Sequence, residues 1–184
     1  DRTAVWPPAA MESPGEVVWV GSIDEARPGG MGRFFRAVAG EEQKSSKWSF
    51  RRPTSVAVHG RRMAVVDSGS GAVVLARTDG GQAKILDLPD GFLPVAVAVS
   101  HDGTSWFVAD GLTGEVRRFD DQGRSTGDIQ LRGEIIRCGG MTVAGDGDLL
   151  LTDVEAGEVL RVRSDGRVRA RMGGKGVEPG RFNR

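Results

Sequence analysis

Asp67, Asp110 and Asp153 recur every 43 residues, and each closes a short apolar run. Evenly spaced carboxylates are the ligand type that hard cations take, provided the fold brings them to one place. The surroundings point elsewhere. A glycine follows each aspartate four residues later, Gly71, Gly114 and Gly157, and a second series, Gly80, Gly123 and Gly166, keeps the same interval. An aspartate at the head of a turn accepts N–H bonds from the residues after it and pins the corner. Asp67, Asp110 and Asp153 are therefore assigned as structural turn residues, and no metal ligand is assigned.

The remaining chemistry-bearing residues are few. His59 and His101 fall at nearly matching places after the first strand of a repeat, where two solvated turn histidines are expected rather than a metal pair. Ser68 and Ser70 lie in Asp-Ser-Gly-Ser-Gly without a histidine and acid at matching spacing, so they read as turn residues and not as nucleophiles. Cys138, the single cysteine, reads as a small buried filler. A reactive thiol would need a neighbour that lowers its pKa, and Arg137 is the one hint of that. From Arg161 to Arg184 the arginines alternate with Val162, Val168, Ala170 and Met172, as on an outer strand with one wet face. No aromatic residues interleave for base stacking, so no nucleic-acid partner is expected. No catalytic residue and no cofactor are assigned.

The elements that position these residues follow from the period. Repeats of roughly 40 to 50 residues indicate propeller blades or helical arrays. Here the apolar runs are short, β-branched and punctuated by glycine, without a helical rhythm, which selects strands. Each repeat holds four, in the second copy about Val95–Val99, Trp106–Ala109, Glu115–Phe119 and Ser125–Ile129. His59-Gly60, Asp102-Gly103 and Asp146-Gly147 supply the tight turns between the first two strands. The fold class is all-β: four-stranded antiparallel propeller blades, about three of a ring of about six. The blades span 52–92, 93–136 and 137–179 within 48–184, and a further blade begins after them.

Residues 1–47 differ. Trp6-Pro7-Pro8 opens an extended stretch, because proline fixes φ and excludes its predecessor from the helical region. Glu16–Ile23 reads as a strand, and Arg27–Lys47 as a glycine-rich, charged loop with at most a short helical turn. The 184 residues suit one domain, and 25 basic against 25 acidic residues give no global pull toward nucleic acid or a membrane surface. No apolar run approaches the roughly 18 residues of a membrane span. Beginning at Asp1 rather than Met suggests a mature or trimmed N-terminus.

The run Arg52-Pro-Thr-Ser-Val-Ala-Val58, the strand ending Val66-Asp67-Ser68, and Asp79-Gly80 resemble the NHL repeat. The second copy matches best, with Pro94, Ala98-Val99, Val108-Ala109-Asp110 and Phe119-Asp120, whereas the third places Cys138 where proline stands. Gly176-Val-Glu-Pro-Gly-Arg-Phe182 resembles the lead-in to another copy. Val5-Trp6-Pro7-Pro8 with Val18 to Ile23 is also similar to the opening of six-bladed NHL-repeat lipoproteins of bacterial envelopes. That resemblance implies a periplasmic or extracellular propeller, anchored by a lipid upstream of residue 1 or secreted, often without activity and at times placed among cytochromes and other electron-transfer parts. Related propellers include enzymes. The peptide-amidating lyases use histidine-bound zinc and a catalytic tyrosine, and this chain has no tyrosine and only His59 and His101; calcium-dependent lactonases use Asn, Asp and Glu around the axis, and the one asparagine here is Asn183.

Three blades leave sheet edges that a propeller normally protects by closing. The expectation is a piece of a longer polypeptide, or completion by another chain, with Val17–Ile23 lent to the last blade. The function expected is a non-enzymatic scaffold of an envelope complex, docking protein partners through its loops and through Trp6, Pro7 and Pro8. The competing expectation is a propeller hydrolase, lactonase or lyase whose active residues lie on other blades.

Overall fold

The computed structural model describes residues 26–27, 50–78, 83–131 and 133–182. These residues are all-β, with no helix among them. The first sheet holds β1 (Ala26–Arg27), β2 (Pro53–His59), β3 (Arg62–Asp67), β4 (Ala72–Arg77) and β5 (Ala83–Ile85). The second holds β6 (Pro94–Val99), β7 (Ser105–Asp110), β8 (Glu115–Asp120) and β9 (Ser125–Gln130). The third holds β10 (Cys138–Val143), β11 (Leu149–Asp153), β12 (Glu158–Val162) and β13 (Val168–Gly173). Within each sheet the four strands run antiparallel in chain order, as in a propeller blade, and β1 adds to the outer edge of the first in parallel with β5. The strand expected at Glu16–Ile23 and the arm Trp6-Pro7-Pro8 lie outside the described residues.

Side-chain alternation explains how the sheets stack. On β7, Trp106 and Val108 face the first sheet, where they join Ala64, Val66, Val73 and Leu75. Phe107 and Ala109, one residue out of phase, face the third sheet with Leu149, Leu151, Leu160 and Val162. A strand of period two thus feeds two cores, and for that reason β7 reads as a continuous apolar run. Fully burying one such side chain contributes about 1.5–3 kcal/mol.

Of the innermost strands, β6 neighbours both β2 and β10. Ser55 Oγ on β2 accepts the Val97 N–H of β6 at 3.1 Å, a polar tie between adjacent blades. Each inner strand opens with the same register irregularity, at Pro53/Ser55, Pro94/Ala96 and Cys138/Gly140. Proline tolerates such a bulge because it has no N–H to lose. The irregularity persists at Cys138, so proline is not its cause.

Candidate functional site

The common feature of the three openings is the aspartate opposite. Asp67 Oδ1 and Oδ2 accept the backbone N–H groups of Arg52 at 2.6 Å and Arg51 at 3.0 Å, and the Ser70 hydroxyl donates to Oδ2 at 2.6 Å. Asp110 accepts from Leu93, Leu112 and Thr113 at 3.3, 2.7 and 3.0 Å. Asp153 accepts from Ile136, Arg137, Glu155 and Ala156 at 2.7, 3.3, 2.9 and 3.0 Å. Each carboxylate therefore joins the lead-in of the inner strand to the turn between the second and third strands. The three are buried, with 0–2% of their surface exposed. The neighbouring backbone repeats as well: the N–H after each aspartate, in Ser68, Gly111 and Val154, donates to the carbonyl of Arg52, Leu93 and Arg137. In the same turns Gly71, Gly114 and Gly157 take φ of 67°, 67° and 68°, a left-handed conformation that disfavours side chains.

Burial pushes the Asp67 and Asp153 carboxyls up, but the N–H and hydroxyl donors outweigh it. Arg51, Ser70 and Arg52 hold Asp67 below its ordinary value, and Ile136, Ala156 and Glu155 do the same for Asp153. These lone pairs are occupied by the chain itself. Among the described residues no group of three or more His, Cys, Asp or Glu is placed to hold a metal ion.

The opposite rim carries the turns between first and second strands and between third and fourth. His59 and His101 each face a glycine of the following blade: a Cβ on Gly103 would overlap the His59 ring, and one on Gly145 would lie 4.0 Å from His101 Nε2. Asp102 accepts from Ser100 Oγ, Thr104 N and Thr104 Oγ1, which lowers its carboxyl to about 2. Across this rim Arg62 donates to the Asp121 carbonyl at 2.6 Å and pairs with its carboxylate at 2.9 Å. Lys84 donates to the Gln122 and Gly123 carbonyls at 2.8 and 3.0 Å, so the first blade holds a turn of the second.

Other side chains singled out in the sequence have local partners. The Ser68 hydroxyl donates to the Arg52 carbonyl at 3.2 Å. Cys138 is buried, with its thiol 3.7 Å from the Gly140 carbonyl. Burial, together with the negative charge of Asp153 and Asp110, pushes that thiol up to about 11. The arginines of β13 are exposed and are also ion-paired. Arg161 and Arg169 converge on Asp148 at 2.8 and 2.9 Å and on Asp146, while Arg171 bridges Glu134 and Glu158 at 2.6 and 3.1 Å. The sequence carried a signal for the first cluster in Asp146-Gly-Asp148, which spacing alone does not connect to arginines 13 to 23 residues away.

No family model and no curated protein sequence matches the chain. Solved structures do. A virginiamycin B lyase from Staphylococcus aureus superposes with a TM-score of 0.53 at 14% identity, over 71% of this chain and 42% of that one. Hydrazine synthase from Kuenenia stuttgartiensis gives 0.53 at 14%, over 68% and 35%. A protein of unknown function from Bacteroides caccae gives 0.53 at 16%, over 65% and 44%. The chain spans less than half the length of these neighbours. At such identity the likeness concerns architecture alone: this chain has the blade arrangement of a β-propeller.

Proposed function

We propose that the chain is part of a non-enzymatic propeller that displays its turn rim, and its Trp6-Pro7-Pro8 arm, to protein partners of a bacterial envelope complex. One observation carries the reading. The corner aspartates of all three blades are occupied by donors of the chain itself, backbone N–H groups and the Ser70 hydroxyl, so the repeated chemistry of the sequence serves to hold corners. What varies between blades is the opposite rim, with His59, Asp102, Asp121 and the Asp146–Asp148–Arg161–Arg169 cluster. A rigid rim of varied polar groups loses little entropy on docking. The NHL resemblance supports an envelope location, periplasmic or extracellular, with a lipid anchor upstream and electron-transfer proteins as neighbours.

The likeness to lyases favours a second reading, a propeller lyase whose reacting groups lie on blades beyond these three. One experiment separates the two. Affinity capture from an envelope fraction is compared between wild type and the rim double variant Asp102→Arg, Asp121→Arg, alongside incubation of the polypeptide whose ring is complete with quinupristin, a ligand found in one lyase neighbour. A partner held by wild type and lost by the variant, with quinupristin unchanged, supports the scaffold. Quinupristin turnover with no rim-dependent partner replaces it with the lyase.

A further inference from the structure

The two rims of the blades differ in what they expose. Among the described residues, every exposed large apolar side chain outside a strand lies at the rim of the corner aspartates: Leu93, Leu112 and Ile136, 47%, 65% and 63% exposed, with Val177 and Phe182 beyond β13. The segment after β13 belongs to this rim because the Gly174 N–H donates to the Gly157 carbonyl at 2.7 Å, in the turn of Asp153. The backbone bond repeated at each corner also brings three different side chains to one place. Arg52, Leu93 and Arg137 carry the carbonyls bonded by the residues after Asp67, Asp110 and Asp153, so each stands just before its inner strand, and all three are exposed. Leu93 and Leu112 of the second blade thus stand between Arg52 of the first and Arg137 of the third. The corner acids do not neutralise these arginines, since Asp67, Asp110 and Asp153 are buried and filled by donors of the chain. Glu134 is taken by Arg171 and Glu155 by Lys175, while Asp87 and Asp90 come earlier in the linker from β5 and Glu178 follows the third blade. Among the described residues Arg51 and Arg137 have no carboxylate partner, and the Arg52 guanidinium donates to Ser68 Oγ at 3.0 Å.

We propose that this rim docks an extended acidic segment of a partner protein, with its apolar side chains on Leu93, Leu112 and Ile136 and its flanking carboxylates on Arg52 and Arg137. A guanidinium fork takes a carboxylate through paired, charge-assisted hydrogen bonds, which are stronger than neutral ones. Stacked sheets lie roughly 10 Å apart, so the arginines of the first and third blades are at most about 20 Å apart, a span of about six steps of extended chain. The apolar side chains between them are aliphatic, so nucleotide bases find no ring there to stack on. The corner bonds already fix the backbone that carries these side chains, which leaves little order to be imposed on docking. This surface lies on the other side of the blades from the polar turn rim, and the inference does not rest on the scaffold reading.

The test is the affinity of the polypeptide whose ring is complete for a labelled heptapeptide, glutamate at both ends and leucine and serine between, read by fluorescence anisotropy. Binding that weakens as salt is raised is expected, and none to the same peptide with lysine ends. Arg52→Glu and Arg137→Glu should each weaken it about tenfold, and Leu112→Ser about fivefold. Urea midpoints should stay unchanged, because these side chains are exposed. Should Arg52→Glu shift the midpoint through its contact with Ser68, Arg137→Glu gives the reading by itself. The turn-rim variant Asp102→Arg, Asp121→Arg should leave the peptide affinity as it is, which separates this docking from the scaffold reading. No binding, binding indifferent to the arginines, or an equal loss in the turn-rim variant overturns the proposal. A single-stranded oligonucleotide bound more tightly than the peptide, and released by the same arginine substitutions, overturns it too and assigns the rim to nucleic acid.

Discussion

His59, the last residue of the first inner strand, lies against Gly103 in the turn of the next blade, so that a Cβ on Gly103 would sit 2.1 Å from His59 Nδ1. Gly103 also has φ of 72°, where a side chain costs about 1–2 kcal/mol. Gly103→Ala should therefore destabilise by about 2–3 kcal/mol, strain and overlap together. His59→Ala in the same chain should return the overlap part and leave the strain. Urea midpoints of the four proteins measure the coupling; simple additivity would show that the ring does not press on the turn.

Asp153 holds four backbone N–H groups. Asp153→Ala leaves several of them without an acceptor, and a loss of about 3 kcal/mol is expected. Hydrogen exchange should rise together at Ile136 and Ala156, which belong to different segments joined through this one carboxylate. Faster exchange at one of them alone would contradict the clamp.

Acid should act through the same corners. The folded-state carboxyls of Asp67 and Asp153 lie below the ordinary 3.8, so the native state binds fewer protons than the unfolded chain around that pH. Their stabilisation is complete above about pH 4 and is lost as pH falls through the lowered values. A melting midpoint followed from pH 6 to 2 should drop below pH 4, and less steeply in Asp153→Asn. An identical slope in that variant would remove Asp153 from the account.

With its thiol raised to about 11, Cys138 is almost wholly protonated at pH 8. Disulfide-reagent labelling of the native chain should be slow, and should accelerate with urea in step with unfolding. Labelling at the rate of a free thiol in the absence of urea would show that the blade opens locally at Cys138.

Trp106 is fully buried, and its indole N–H finds no acceptor among the described residues. Trp106→Phe keeps a ring in the core and deletes that unpaired donor, so it should cost about 1 kcal/mol, against about 3–5 for Trp106→Ala. Equal losses in thermal unfolding would mean that the N–H is bonded after all.

Much of this architecture was open to reading in the linear chain because its signals are local and repeated. The 43-residue interval, the four short apolar runs and the Asp-Gly turns each act within a few residues of their own position, so blades and corners could be anticipated. The fourth strand of the first blade shows the limit: it is regular only over the three residues Ala83–Ile85, ahead of Pro89, where the matching strand of the second blade runs for six. Arginine alternation along β13 was visible, but its partners were not. Arg161 on β12 lies opposite Ala170 of β13, which sets it beside Arg169, and both reach Asp148 from there.

By itself the sequence determined the repeat, the strand character and the residues at each corner, since these follow from side-chain branching, glycine φ and the reach of a carboxylate. Tertiary structure decided which donors fill Asp67, Asp110 and Asp153, that His59 meets Gly103, and that Val56 and Val58 are left bare. Those depend on how one sheet lies over the next, a relation between segments about 40 residues apart that no local preference encodes.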